Sequence, residues 1–309
     1  MSKKLLASIA LFGTAGLVLA GCAGDPLASD GGGESEETSS IIVGSANFPE
    51  SELLAEIYAQ ALEGAGLEVE RKLNIGAREL YLAALDDGSI DLLPEYNGAL
   101  LSALLDGGAP EGVTSPEDVY EALQDVLPEG IISLPQSAAE DKDTLSVTAE
   151  TAEEFGLSTI DDLVPIAGDL SIAAGPEWAE RYQGLLGLED KYGLVFGEFK
   201  PLDAGGPLTL DALLTGQVDV ANIFSTDSAI ETEGLVVLED TKNLYLAENI
   251  VPIIRESKSN ADVEAALNAV SEALTTENLT EFLAMVQVDK QDSATVATAF
   301  LAEYGIASE

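Results

Sequence analysis

The feature that most constrains how this chain can fold is a segment that occurs twice. Residues 82–96 read LAALDDGSIDLLPEY and residues 210–224 read LDALLTGQVDVANIF. At a constant offset of 128, Ala84 matches Ala212, Leu85 matches Leu213 and Gly88 matches Gly216. Ile90-Asp91-Leu92 likewise matches Val218-Asp219-Val220, and Tyr96 matches Phe224. Each copy reads as a helix end, a Gly C-cap, a short buried strand and a polar loop opening on an aromatic. Ligands of open α/β sheets bind outside the carboxyl ends of strands. Two equivalent strand ends therefore predict two lobes, each giving one aromatic to a shared cleft. Helix–Gly–strand is also general α/β grammar, and the match by itself leaves that reading open.

The flanking sequence has the same grammar. Ile41-Ile42-Val43-Gly44 is a short apolar β-type run, and Glu52 to Ala65 repeats apolar residues at helical spacing through Leu53, Leu54, Ile57, Tyr58, Ala61 and Leu62. Ser51 is the expected N-cap, and Gly64 and Gly66 the expected stop. Leu67 to Leu73 then alternates like a half-exposed strand, with Arg78 in the loop after Leu73–Ile75. Strand–helix alternation continues to the end, so the class is α/β with mostly parallel sheets.

Composition narrows the function. The chain has 309 residues, 13 Lys+Arg against 56 Asp+Glu, no His and one Cys, for a net charge of −43. A surface this negative repels phosphate backbones, which excludes a nucleic-acid partner. Without His, and with a single Cys, there is no Ser/His/Asp triad, Cys/His dyad or His- or Cys-based zinc site. No metal or cofactor is expected. Residues 1–21 carry Lys3 and Lys4 before an apolar run from Leu5 to Ala20, the pattern of a secretory signal and too short for a membrane span of roughly 20 residues. Loss of Lys3 and Lys4 with the signal leaves the mature chain more negative still. Leu19-Ala20-Gly21-Cys22 looks like a bacterial lipobox, with Cys22 lipidated and extracytoplasmic; an ordinary signal with an incidental Cys is the alternative. Residues 22–40, rich in Gly, Ser and acid, read as a flexible tether with a reach of roughly 20–25 Å.

Set beside Asn47-Phe48-Pro49-Glu50-Ser51, the duplicated segments carry a family resemblance. Pro94-Glu95-Tyr96-Asn97-Gly98, Phe224-Ser225-Thr226-Asp227, Pro176-Glu177-Trp178 with Arg181 and Gly184-Leu185, Val236 to Asp240, and Val251-Pro252-Ile253-Ile254-Arg255 follow in register. Together they resemble the substrate-binding proteins of ABC importers for glycine betaine, choline and carnitine. The resemblance implies a two-lobed periplasmic-binding-protein fold of type II-like plan, its ligand cleft between lobes joined by two crossover segments. Lobe one would comprise 41–140 plus 250–309 and lobe two 141–249. It further implies a monomer, lipid-anchored to the outer face of the cell membrane, that delivers a small quaternary-amine solute to an ABC permease.

Such ligands are held by π-faces, because a trimethylammonium head donates no strong hydrogen bond. Tyr96 matches a cage aromatic and Phe224 supplies a second face. The family's other aromatics are replaced at Leu145 and near Glu248, with Tyr245 close by. Arg78 and Arg181 are candidates for an anionic group because basic residues are so few; Arg181, on a helix, has an acid partner as its alternative. Asn47, Asn97, Asp141, Thr144 and Thr226 complete the candidate set, and Trp178 and Tyr182 are expected to pack. Alternative readings are a receptor for another polar or cationic solute, a transport-independent sensor, and an enzyme pairing Glu95 with Asp227, which lacks any accompanying nucleophile.

Overall fold

The computed structural model describes residues 40–105, 108–110 and 112–306. The signal 1–21, the lipidation position Cys22 and the tether up to residue 39 lie outside the described residues. From Ile41 the chain forms β1 (Ile41–Gly44), α1 (Pro49–Gly64), β2 (Val69–Lys72), α2 (Arg78–Asp86), β3 (Leu92–Tyr96), α3 (Asn97–Leu104), α4 (Pro116–Val126) and β4 (Ile131–Ser133). It crosses to β5 (Asp143–Val147), α5 (Ala149–Phe155), β6 (Ser171–Ala174), α6 (Leu185–Gly187), β7 (Glu198–Pro201), α7 (Pro207–Leu214), β8 (Val220–Phe224), α8 (Ala229–Thr232) and β9 (Val236–Val237). It returns through β10 (Ile250–Arg255) and closes on α9 (Ala261–Ala273), α10 (Thr276–Gln287) and α11 (Ser293–Tyr304).

Two five-stranded sheets result, ordered β2-β1-β3-β10-β4 and β7-β6-β8-β5-β9. They follow one plan. In each, a parallel trio is followed by a strand antiparallel to both its neighbours, β10 in the first sheet and β5 in the second. The sheets are thus mixed, where mostly parallel ones were expected. The reason is topological: β3 and β8 run toward the other lobe, whereas β10 and β5 arrive from it and must run the opposite way.

The duplicated segment occupies equivalent places, α2–β3 in one lobe and α7–β8 in the other. Gly88 and Gly216 both adopt left-handed φ, +78° and +68°, which a Cβ would strain. Asp91 accepts the Ile42 N–H at 3.0 Å, and Asp219 accepts the Ser171 N–H at 2.7 Å. Each carboxylate thus ties the start of a central strand to its parallel neighbour.

Helix α1 starts at Pro49, earlier than its periodicity suggested, because Pro at the first helical position gives up an N–H that has no partner there anyway. Ser51 therefore sits inside the first turn, and its hydroxyl accepts the Ala46 N–H at 2.9 Å. Leu53, Leu54, Ile57, Tyr58 and Leu62 of α1 are buried against α9, α10 and α11 on one face of the first sheet. Each such side chain contributes about 1.5–3 kcal/mol. The opposite face is covered by Tyr81, Leu85, Leu100, Leu101, Val119 and Leu123 of α2, α3 and α4. The second sheet has its own two cores, one around Leu145, Ile172 and Trp178 and one around Leu213 and Ile223. Between the sheets the two crossing segments run side by side, the Asp141 N–H donating to the Glu248 carbonyl at 3.1 Å.

Candidate functional site

The register of the crossing strands decides where the site lies. Ile250 at the start of β10 pairs with Tyr96 at the end of β3, and Asp143 at the start of β5 pairs with Phe224 at the end of β8. Both aromatics and both crossings therefore meet in one place, a cleft of about 600 Å³ including its open mouth. Phe48, Tyr81, Tyr96, Trp178 and Phe224 line it. The Phe48 ring joins the two predicted aromatics, with centroids 6.1 Å from Tyr96 and 5.1 Å from Phe224. Gly205, at φ +56°, makes room for the Phe224 ring; a Cβ there would lie 2.4 Å from it.

Arg78 does not sit in a loop but opens α2, is buried, and grips Glu95 with two hydrogen bonds of 2.8 and 3.1 Å. Glu95 also accepts the Tyr81 hydroxyl at 2.7 Å and the Tyr96 N–H at 2.8 Å, so this fully buried carboxylate is saturated. Arg181 lies not on a helix but in the turn after a 3₁₀ segment, Pro176–Ala179. It reaches across the cleft to Glu79 with bonds of 3.0 and 2.9 Å, and Glu177 stands 4.0 Å away. Asn47 is exposed at the cleft wall, in the loop before α1.

Asp141 accepts the Thr226 N–H at 3.0 Å and the Ser225 hydroxyl at 3.2 Å. Its carboxyl group also bonds that of Glu50, which accepts the Tyr96 hydroxyl at 2.7 Å and the Thr226 hydroxyl. Two carboxyl groups can bond each other only by sharing a proton. Burial holds both above the ordinary carboxylate range, and their mutual charge adds to the effect at Asp141.

The cleft thus brings together Tyr96, Phe224, Asn47, Arg78, Asp141 and Arg181. Asn97, Thr144 and Thr226 are buried and turned toward protein partners. Asn97 accepts the Gly98 and Asn249 N–H groups at 2.7 and 2.8 Å. Thr144 donates to the Ile223 carbonyl at 2.6 Å. Tyr245 is buried in the second lobe's core, and Tyr182 packs there with its hydroxyl on Asp190. Sequence reasoning left Phe48, Tyr81, Trp178, Asp143, Asn222 and Glu248 out of the lining. Phe48 and Trp178 stood inside motifs already singled out; Asp143 and Asn222, on adjacent strands, gave no local signal. Glu95 and Asp227 do not pair: Asp227 is bonded to Gln287 at 3.0 Å and to the Ala229 N–H at 2.8 Å.

Two α/β lobes joined by two crossings, with an aromatic and acidic cleft between them, define the class of solute-binding proteins. The chain belongs to the family of the substrate binding domain of ABC-type glycine betaine transport systems, whose model matches residues 39–303. It is 28% identical over 284 residues to the glycine betaine-binding protein YehZ of Escherichia coli K12, covering 87% of this chain and 92% of that one. It is 25% identical over 309 residues to the carnitine transport binding protein OpuCC of Listeria monocytogenes, covering 97% of both. Among solved structures, apo YehZ from E. coli superposes with a TM-score of 0.60 at 26% identity, covering 87% of this chain and 99% of that one. A glycine betaine/carnitine/choline ABC transporter structure superposes with a TM-score of 0.67 over 86% of this chain and 99% of that one; at 23% identity it speaks for the fold alone.

Proposed function

We propose that this protein is an extracytoplasmic receptor that binds the quaternary ammonium head of a small osmoprotectant and delivers it to an ABC permease, held at the membrane by a lipid on Cys22. The observation that carries the ligand reading is the aromatic lining: five aromatic residues contributed by both lobes line one cleft. A trimethylammonium group exchanges its hydration for such π-faces, each contributing roughly 0.5–2 kcal/mol. Relatives that bear the names glycine betaine-binding protein and carnitine transport binding protein support the same reading. In this reading Tyr96 and Phe224 are cage faces, with Asn47, Arg78, Asp141 and Arg181 around them. Asn97, Thr144 and Thr226 position the crossings from behind. Closure of the lobes on the solute follows from contacts that only the closed state makes.

Isothermal titration and thermal shift with choline, glycine betaine and carnitine test the proposal. At least one should bind and raise the melting temperature, and Tyr96→Ala should weaken that binding about tenfold or more. Silence from all three ligands in both assays would sink the reading.

A further inference from the structure

Charge is distributed unevenly around the cleft. Both arginines are already matched, Arg78 by Glu95 and Arg181 by Glu79. Against them stand Asp143 and Glu248, beside the Asp141–Glu50 pair that already shares a proton, and among the described residues no Arg or Lys lies within ion-pair distance of these carboxyl groups. Lys142, the nearest lysine in sequence, is paired with Glu140 at 2.5 Å.

Two of these carboxylates are half-used. Asp143 accepts from Asn222 Nδ2 at 2.8 Å through Oδ1, and Glu248 accepts from Gln183 Nε2 at 2.7 Å through Oε1. Among the described residues the second oxygen of Glu248 accepts no hydrogen bond, and the one further donor at Asp143 is Trp178 Nε1, which falls short of full hydrogen-bond geometry. Trp178 lines the same cleft, and its buried Nε1 completes no hydrogen bond although it lies close to Asp143. Burial holds both Asp143 and Glu248 above the ordinary carboxylate range, and the charge of Asp143 adds to the effect at Glu248, against the smaller opposing pull of Arg181 and Arg78 on Asp143 and of Arg78 and Lys142 on Glu248.

A ligand that completes this site must bring positive charge and no carboxylate of its own. A cation in the cleft favours the ionised form of both carboxyl groups, so a ligand carboxylate beside it would be desolvated among like charges, and the arginines that could offset it are occupied. A hydroxyl suits the same position: it accepts from Trp178 Nε1 and donates to a free carboxylate oxygen, whereas a carboxylate can only accept. Resting on the quaternary-ammonium reading, we propose that Asp143 and Glu248 make the cleft selective for a hydroxylated alkylammonium monocation over a zwitterion. Glycine betaine and choline differ by one group, a carboxylate against a hydroxymethyl, and so form the probe pair.

The test is titration of the full chain with choline and with glycine betaine, repeated on Asp143→Asn and Glu248→Gln after each variant's fold is checked by circular dichroism. Choline should bind at least about 100-fold more tightly than glycine betaine. Either variant should narrow that ratio about tenfold or more, by weakening choline and strengthening glycine betaine. Equal or tighter binding of glycine betaine overturns the charge selection and leaves the quaternary-ammonium reading standing. A ratio that neither folded variant changes overturns the assignment to these two residues. If neither ligand binds, both the selection and the reading beneath it fall.

Discussion

At the scale of single residues, the Arg78–Glu95 pair shows how a scarce charge is committed. Arg78 is one of very few basic residues, and that scarcity made it a candidate for a ligand carboxylate. In the fold it grips Glu95, seventeen positions away, with Tyr81 and the Tyr96 backbone completing the carboxylate's partners. Removing one member of a buried pair leaves the other charged and unpaired, at a cost of about 3–5 kcal/mol. Glu95→Ala should therefore lower the urea-unfolding free energy by that amount, and Arg78→Met combined with Glu95→Gln should cost much less. Equal losses for the two would show that packing, not charge, is what the pair provides. The aromatic Tyr96 was legible from its motif because a strand end and the residue closing it are local. Its hydroxyl's partner, Glu50, was not.

At the scale of elements, the duplicated helix–Gly–strand unit was readable because each of its parts is set by neighbours within a few residues. Asp91 and Asp219 then repeat one backbone tie in both lobes, which the matching letters alone did not explain. The start of α1 was misplaced because Ser51 resembles a cap while Pro49 supplies the geometry, and Ser51 serves Ala46 instead. Gly98, in the first turn of α3, lies where the returning crossing presses against that helix. A Cβ there would stand 2.4 Å from the Ala247 carbonyl, a backbone atom with little freedom to yield. Gly98→Ala should cost about 1–3 kcal/mol as an overpacked contact and weaken ligand binding by displacing Glu248. Unchanged melting temperature and affinity would mean that the crossing can relax away from α3.

At the scale of the whole molecule, the lobes are bridged by a buried acid pair. Glu50 comes from α1 in the first lobe, Asp141 from the first crossing, and Thr226, which bonds both, from the second lobe. A carboxyl group with a raised folded-state pKa binds more protons folded than unfolded. Its stabilising contribution is complete in acid and fades as pH rises from the ordinary carboxylate range through the raised value. Surface carboxylates held low, such as Asp162 at about 2, act in the opposite sense only at or below that ordinary range. The melting temperature of the unliganded protein should therefore fall as pH rises from about 5 to about 8. Asp141→Asn should flatten that slope, since its amide can donate to Glu50 at every pH while its oxygen keeps the Ser225 and Thr226 bonds. A melting temperature that rises over this range, or a slope unchanged in Asp141→Asn, would remove the pair from that role.

The two-lobed α/β plan, the family and the two aromatics at the strand ends could all be read from the chain before folding, because each depends on order and on spacings of a few residues. Which charges remain available to a ligand could not. Arg181 meets Glu79 across 102 positions, Glu248 meets Gln183 across 65, and Glu50 meets Thr226 across 176. Those partnerships depend on which strand lies beside which and on how the crossings bring both lobes to one cleft. A residue's charge is written in its identity, but its countercharge and its burial arise only once distant segments have packed.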